Sequence, residues 1–433
     1  MISKWSDSVT LPRFPHLEKD VRTDVLIIGG GLAGILCAYM LKDAGVNYIL
    51  AEAKTIGSGI TKNTTAKITS QHGLIYHKLA KSAGAQNAAL YLRANQEAVA
   101  VYKKLCGDYP CDFKEMDSYV YSTTGNEALE KEVQTLLKLG FPAELVRDIP
   151  LPFPVTGAVR FPGQAQFHPL KFLGGIAEDL NIYENTMIKD VAPHRAVTDY
   201  GDITADKIIV ATHFPFINRH GSYFLKMYQQ RSYVLALEHA ADVNGMYVDA
   251  ASGGLSFRNC GGLLLFGGGG HRTGKTGGGW DELRKLAGEY YPNAKELYHW
   301  AAQDCMTLDS VPYVGQYSKN TPGLYVATGF NKWGMTGSMV SARLLTSLVM
   351  GDTPAYSSVF SPSRSMLKPQ LAANAIQATA NILTPTVPRC PHMGCALKWN
   401  PQEHSWDCPC HGSRFAEDGG LIDNPSLHSL KRR

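Results

Sequence analysis

The chain has 433 residues, 44% hydrophobic and 18% charged, an ordinary balance for a globular protein with room for two or three domains. Its formal net charge of +4 is too small for this length to argue for a nucleic-acid partner. No uncharged apolar stretch reaches the ~20 residues of a spanning helix, and the N-terminus has no apolar core or small-residue cleavage site. A soluble, cytoplasmic protein without signal peptide or membrane span is therefore expected.

Residues 1–22 read as a polar, proline-containing arm. The first structured unit is the apolar run from Asp24 into Gly29-Gly30-Gly31-Leu-Ala-Gly34, followed by a helical run to Gly45. Gly29 permits a tight strand-to-helix turn, Gly31 leaves space for a pyrophosphate, and Gly34 lets helix and strand pack closely. A second apolar run ends at Glu52, 52 − 29 = 23 residues after Gly29, where a carboxylate accepts hydrogen bonds from ribose hydroxyls. Strand, turn, helix, strand and acid arrive in the order of a dinucleotide site. This stretch alone does not separate FAD from NAD.

Gly57 to Lys67, with Thr61 in it, is a polar irregular segment. Residues 77–105 and 126–139 have helical periodicity. Strand signals begin near Tyr119 and resume over 155–167, and 168–180 reads as a helix. Asp206 to Thr212 is an apolar strand that returns the chain to the nucleotide sheet. Residues 231–271 alternate like antiparallel strands roofing a site. Within them Gly267 to Gly270 is a four-glycine run, either flexible or closely approached by another group. His271-Arg272 reads as a solvated turn, with a carboxylate-binding role as the alternative. A third strand-to-turn-to-helix signal runs from Gly323 through Gly329, Gly334, Met335 and Thr336 into a helix ending near Met350.

Together Gly29–Gly34, Glu52, the 206–212 strand and the 323–336 turn resemble the D-amino-acid-oxidase-like, or glycine-oxidase-like, FAD-dependent oxidoreductases. The resemblance covers about 24–355. It implies that Gly29, Gly31, Gly34 and Glu52 hold the ADP half of FAD. The Thr61 segment would supply donors to pyrophosphate and ring. Gly329, Gly334, Met335 and Thr336 would lie at the isoalloxazine. Cys305, just ahead of that turn, is read as a buried thiol, with a covalent flavin link as the minor alternative. Catalytic residues are not identified.

Four of the nine cysteines crowd between 390 and 410. They lie in Cys390-Pro-His392-Met-Gly-Cys395 and Cys408-Pro-Cys410-His411-Gly-Ser, with 15 residues (393 through 407) between His392 and Cys408. Cysteines clustered with histidines point to metal. The paired loops resemble those of Rieske [2Fe–2S] modules, in which two thiolates hold one iron and two imidazoles the other. The resemblance assigns Cys390, Cys408, His392 and His411 as ligands, with Cys395 and Cys410 as a disulfide bracing the loops. A tetrahedral zinc site and a metal-free remnant are the alternatives. The stretch before the first loop is alanine-rich and reads as helix, then a proline-punctuated linker, where Rieske modules have strands. The module looks truncated and must lean on its neighbour to fold.

The expected fold is α/β (α+β). A Rossmann-like FAD-binding domain (about 23–75, 185–220 and 305–355) interleaves with an antiparallel substrate sheet (about 110–185 and 220–300) within 1–364. A linker at 365–388 leads to a small all-β Rieske-type module at 389–433. The resemblance implies oxidation of a small amine, amino acid or related donor by hydride transfer to flavin. One-electron transfer to the cluster and a possible acceptor protein would follow. The alternatives are a simple oxidase using oxygen with a vestigial or zinc-binding tail, and a non-enzymatic redox sensor.

Overall fold

The computed structural model describes residues 2–385 and 388–431. Met1, Thr386 and Val387 of the expected linker, and Arg432 and Arg433 of the expected module lie outside the described residues.

Three distant stretches build the nucleotide sheet. Strand Val21–Ile28 lies parallel to Tyr48–Ala51 on one side and to Asp202–Val210 on the other. Leu324–Thr328 extends the sheet in parallel next to Asp202–Val210. These strands carry no proline, and the carboxyl-terminal halves of Val21–Ile28 and Asp202–Val210 are apolar and buried, as central parallel strands are where both faces are covered. The helices Leu32–Asp43 and Gly334–Met350 pack on each other over this sheet. Their N-termini follow glycine-rich turns at the carboxyl ends of their strands, where open α/β sheets bind ligands.

A nine-stranded, mostly antiparallel sheet forms the second layer. Its order starts with Lys295–Thr307, Met227–Glu238 and Leu263–Arg272, and runs on through Lys114–Ser122 and Gly157–Gln166. Two short strands cross the expected boundaries: Lys67–Ile68 joins this sheet, and Ile182–Tyr183 joins the nucleotide sheet. The strand Lys295–Thr307 also runs beyond residue 300. The glycine run is not a flexible loop. It lies inside Leu263–Arg272, where a Cβ on Gly269 would come within 2.8 Å of Gly279 N. The N-terminal arm is likewise more ordered than its composition implied. Trp5, in the short helix Lys4–Asp7, is fully buried and donates to Thr64 O at 2.7 Å.

The tail begins with the helix Pro369–Leu383 and ends in a four-stranded antiparallel meander, from Lys398–Asn400 to Leu421–Asp423. Its own core comprises four cysteines with Leu397 and Phe415. So small a core offsets little chain entropy. The difference comes from the flavin domain, against which the module is hydrogen-bonded at many points.

Candidate active site and metal centre

At the fingerprint, each glycine has a distinct steric reason. Gly29 has φ +113, and a Cβ there would lie 2.7 Å from Ala211 O. A Cβ on Gly34 would meet Gly29 O at 1.9 Å, so helix and strand touch. A Cβ on Gly31 would meet only Thr61 Oγ1, at 3.6 Å, leaving an open cradle in front of the helix N-terminus. Thr61 Oγ1 accepts from Leu32 N at 3.1 Å and keeps its own proton free to donate. Glu52 accepts from Gly30 N at 2.7 Å and Lys54 N at 2.8 Å, which fixes the carboxylate and leaves lone pairs for hydroxyl donors. Burial raises its pKa against those two bonds. The open cradle and the anchored acid fit the ADP half of FAD.

The late turn opens the helix Gly334–Met350. Met335 O accepts from Tyr102 OH at 2.9 Å, and a Cβ on Gly334 would touch only Phe330, at 3.8 Å. A Cβ on Gly329 would fall 2.3 Å from Thr307 Cγ2. Thr336 Oγ1 bonds Thr69 O and His72 Nε2, each at 2.9 Å. His72 also meets Tyr91 OH at 2.6 Å and stacks on Trp333, 5.1 Å between ring centroids. Burial depresses its pKa to about 3, so the ring is neutral and works as a positioning group. Sequence reading missed His72, which has no spacing signal to a partner 264 residues away.

Lys332 of the same turn is solvent-accessible, yet protein surrounds it closely enough that burial lowers its pKa, opposed by Asp304. Asp304 is raised by burial and held down by Lys332, His213 and Arg231. Cys305 points elsewhere: its thiol packs in an apolar cluster with Met227 and Tyr313, and burial pushes its pKa up. That is the setting of a packed thiol.

In the tail, the Cys390 and Cys408 thiols pack in one buried cluster, close enough to shift each other's pKa in opposite directions. The Cys408 contact, ahead of the other causes, lowers Cys390 to about 7. The His392 and His411 rings stand at 90°, centroids 4.9 Å apart. Both Nδ1 atoms are buried without a hydrogen-bond partner among the described residues. Burial lowers the two pKa values to about 4 and about 3, keeping the imidazoles neutral with free lone pairs. Orphaned imidazole nitrogens beside paired thiols are what a cluster with mixed sulfur and nitrogen ligands requires. Cys395 and Cys410 lie near Cys408 but are joined to each other as a disulfide, so they are not free ligands.

The histidine edge faces the flavin domain. His392 Nε2 meets Asn218 Oδ1 at 3.0 Å, and His411 sits edge-on to Phe214 and Phe224. Arg272 is neither a solvated turn nor a substrate ligand. It donates to Pro409 O at 3.3 Å, Cys410 O at 3.5 Å and Asn374 Oδ1 at 3.0 Å. Asn424 Nδ2 donates back to Thr212 O at 2.6 Å and Phe214 O at 2.9 Å. Among the described residues, no helix is long and apolar enough to cross a membrane.

Comparison with known proteins agrees with both halves. The FAD dependent oxidoreductase (DAO) profile matches residues 24–348, and the Rieske [2Fe-2S] domain profile matches 377–432. A Rieske 2Fe-2S iron-sulfur protein, YhfW of Bacillus subtilis (strain 168), is 35% identical over 99% of this chain and 96% of its own. Gamma-glutamylputrescine oxidoreductase of Escherichia coli (strain K12) is 22% identical over 79% of this chain and 87% of its own. The crystal structure of glycine oxidase from Geobacillus kaustophilus superposes with a TM-score of 0.66 at 20% identity, covering 79% of this chain and 99% of that one. The chain belongs to the DAO family of FAD-dependent oxidoreductases and carries a C-terminal Rieske domain, so that its cofactors are FAD and a [2Fe–2S] cluster.

Proposed function

We propose that the protein oxidises a small amine or amino acid at FAD and passes the electrons singly to its own iron–sulfur cluster. When bound, FAD accepts a hydride from a C–H next to the amine, and the cluster accepts one electron at a time. Gly31 and the N-terminus of the helix behind it would hold the pyrophosphate, and Glu52 the ribose. Gly334, Met335 and Thr336 would border the ring, with His72 locking Thr336. Cys390, Cys408, His392 and His411 would hold the two irons. Lys332 and Asp304, close enough for each to oppose the other's burial shift, would offer a cation to a carboxylate and a carboxylate to an ammonium group. The names of gamma-glutamylputrescine oxidoreductase and glycine oxidase support an amine-bearing donor.

The observation that carries this reading is the docking of the histidine edge on the flavin domain, which a vestigial tail has no reason to keep. The test is anaerobic mixing of the holoprotein with a panel of amines, amino acids and hydroxy acids, following flavin bleaching and the EPR signal of the reduced cluster. Flavin bleaching followed by the cluster signal is the expected result. Rapid oxygen consumption with a silent cluster would instead identify a simple oxidase.

A further inference from the structure

Two buried glutamines of the flavin domain reach the same metal-ligand loop. Gln229 Nε2 donates to His411 O, and Gln303 Nε2 donates to Gly412 O, both at 2.8 Å. Gln229 is 1% exposed and Gln303 5%. A buried amide is costly unless hydrogen-bonded, and an apolar side chain would fill the space without that cost. Two such amides on consecutive carbonyls of one loop therefore point to placement of that loop. The fit is mutual. Gly412 has φ +84, and a Cβ on it would strike the Gln229 side chain at 2.7 Å. Thr273 Oγ1 donates to Gln303 Oε1 at 3.0 Å, which orients the amide with its nitrogen toward the loop. Gln229 also faces His213, and Gln229 Oε1 and His213 Nε2 are both buried without a hydrogen-bond partner among the described residues.

The same strands are tied to the late turn. Gln229 pairs with Cys305 in the register of Met227–Glu238 on Lys295–Thr307. Cys305 O accepts from Asn331 N at 3.0 Å, and Thr307 N donates to Asn331 Oδ1 at 2.8 Å. An unbroken series of covalent and hydrogen bonds thus runs from the His411 loop to the 329–336 turn.

We propose that Gln229 and Gln303 are positioning residues that clamp the His411 loop, so that the cluster takes electrons from the flavin of its own chain while docked in place. This rests on the functional reading above. One electron passes from two-electron-reduced FAD to the oxidised cluster, converting one Fe(III) to Fe(II). The second passes, with the flavin proton released to water, after an external one-electron acceptor protein has reoxidised the cluster.

The experiment photoreduces the flavin of the full-length holoprotein anaerobically and follows cluster reduction by rapid-freeze EPR. Variants are Gln229→Leu, Gln303→Leu and the isosteric Gln229→Glu, which loses the donor. Gln402→Leu is the control. It removes another contact between module and flavin domain, Gln402 Oε1 with Trp280 N at 3.0 Å, in the turn between Lys398–Asn400 and Ser405–Asp407 and outside both ligand loops. With iron content retained, the three positioning variants should slow cluster reduction by about ten-fold or more, and the control should not. Wild-type rates in iron-replete positioning variants would overturn the inference. Equal slowing in the control would overturn it too, by showing general docking. Iron loss in all three positioning variants but not the control would assign the glutamines to cluster assembly and overturn it as well. Absence of transfer in the unsubstituted protein would overturn the functional reading itself, and the inference with it.

Discussion

Arg231 and Glu403 form a buried two-point ion pair that joins the flavin domain to the iron–sulfur module. Arg231 Nε donates to Glu403 Oε1 at 2.9 Å, a second bond joins Arg231 NH2 to Glu403 Oε2, and the side chains are 3% and 0% exposed. Glu403 also accepts from Arg414 NH2 at 2.8 Å, and Arg414 in turn holds Asp407 at 2.9 Å. Glu403 is therefore the hinge pin between an arginine of each unit.

Removing Glu403 leaves Arg231 buried without that carboxylate, whereas Arg414 keeps Asp407. Glu403→Ala should destabilise the docked module by about 3–5 kcal/mol, the usual cost of stripping one partner from a buried pair. The paired substitution Arg231→Met with Glu403→Leu should recover much of that. Limited proteolysis between the helix Pro369–Leu383 and the first ligand loop, with thermal unfolding, provides the check. Equal protection of Glu403→Ala and wild type would refute the clamp.

The second and third fingerprint glycines should separate binding from folding. Gly31→Val adds a side chain whose Cβ has only Thr61 Oγ1 nearby, so the apoprotein should fold normally and lose FAD. Gly34→Val pushes a Cβ into Gly29 O and should fail to fold. Circular dichroism and flavin absorbance after gel filtration distinguish the two. A folded Gly31→Val protein with full flavin content would place the pyrophosphate elsewhere.

Protein purified anaerobically from iron-replete cells should contain about two irons and two acid-labile sulfides per chain. Its reduced form should give an EPR signal of low average g, and Cys408→Ser should abolish it. Cys395 and Cys410 should resist alkylation until a reductant is added. Stoichiometric zinc without iron would make the tail a colourless structural site.

Glu132 should make stability fall with rising pH. It is buried, accepts from Tyr76 N at 2.8 Å and His77 N at 2.7 Å, and burial raises its pKa from 4.5 to about 7. The folded state therefore holds this proton more tightly than the unfolded chain. The associated stability is complete below about pH 4.5 and is lost as pH rises to about 7, a change on the order of 3 kcal/mol. Denaturant unfolding of Glu132→Gln should show a flatter profile over that window; an unchanged slope would refute the assignment.

The glycine fingerprint, Glu52, the late turn and the cysteine–histidine spacings were legible because each depends on neighbours a few residues away. A tight turn needs glycine wherever the domain sits, and two ligand loops keep their spacing in any orientation. The alanine-rich helix before the first loop was legible for the same reason. Which faces meet was not. Arg231 and Glu403 are 172 residues apart, Gln229 and His411 are 182 apart, and His72 and Thr336 are 264 apart. No local pattern ties these pairs, since a buried amide or arginine looks like a surface one until its partner arrives. His271-Arg272 shows the consequence. Polar and next to glycines, the pair reads as a solvated turn, yet packing of the module makes Arg272 an inter-unit contact. Trp5 belongs to a short, polar segment that the sequence leaves as an arm and the core of the flavin domain takes in. Local sterics determined the two cofactor motifs; the nonlocal fit of strands Met227–Glu238 and Lys295–Thr307 against the ligand loop decided how the module docks on the flavin domain.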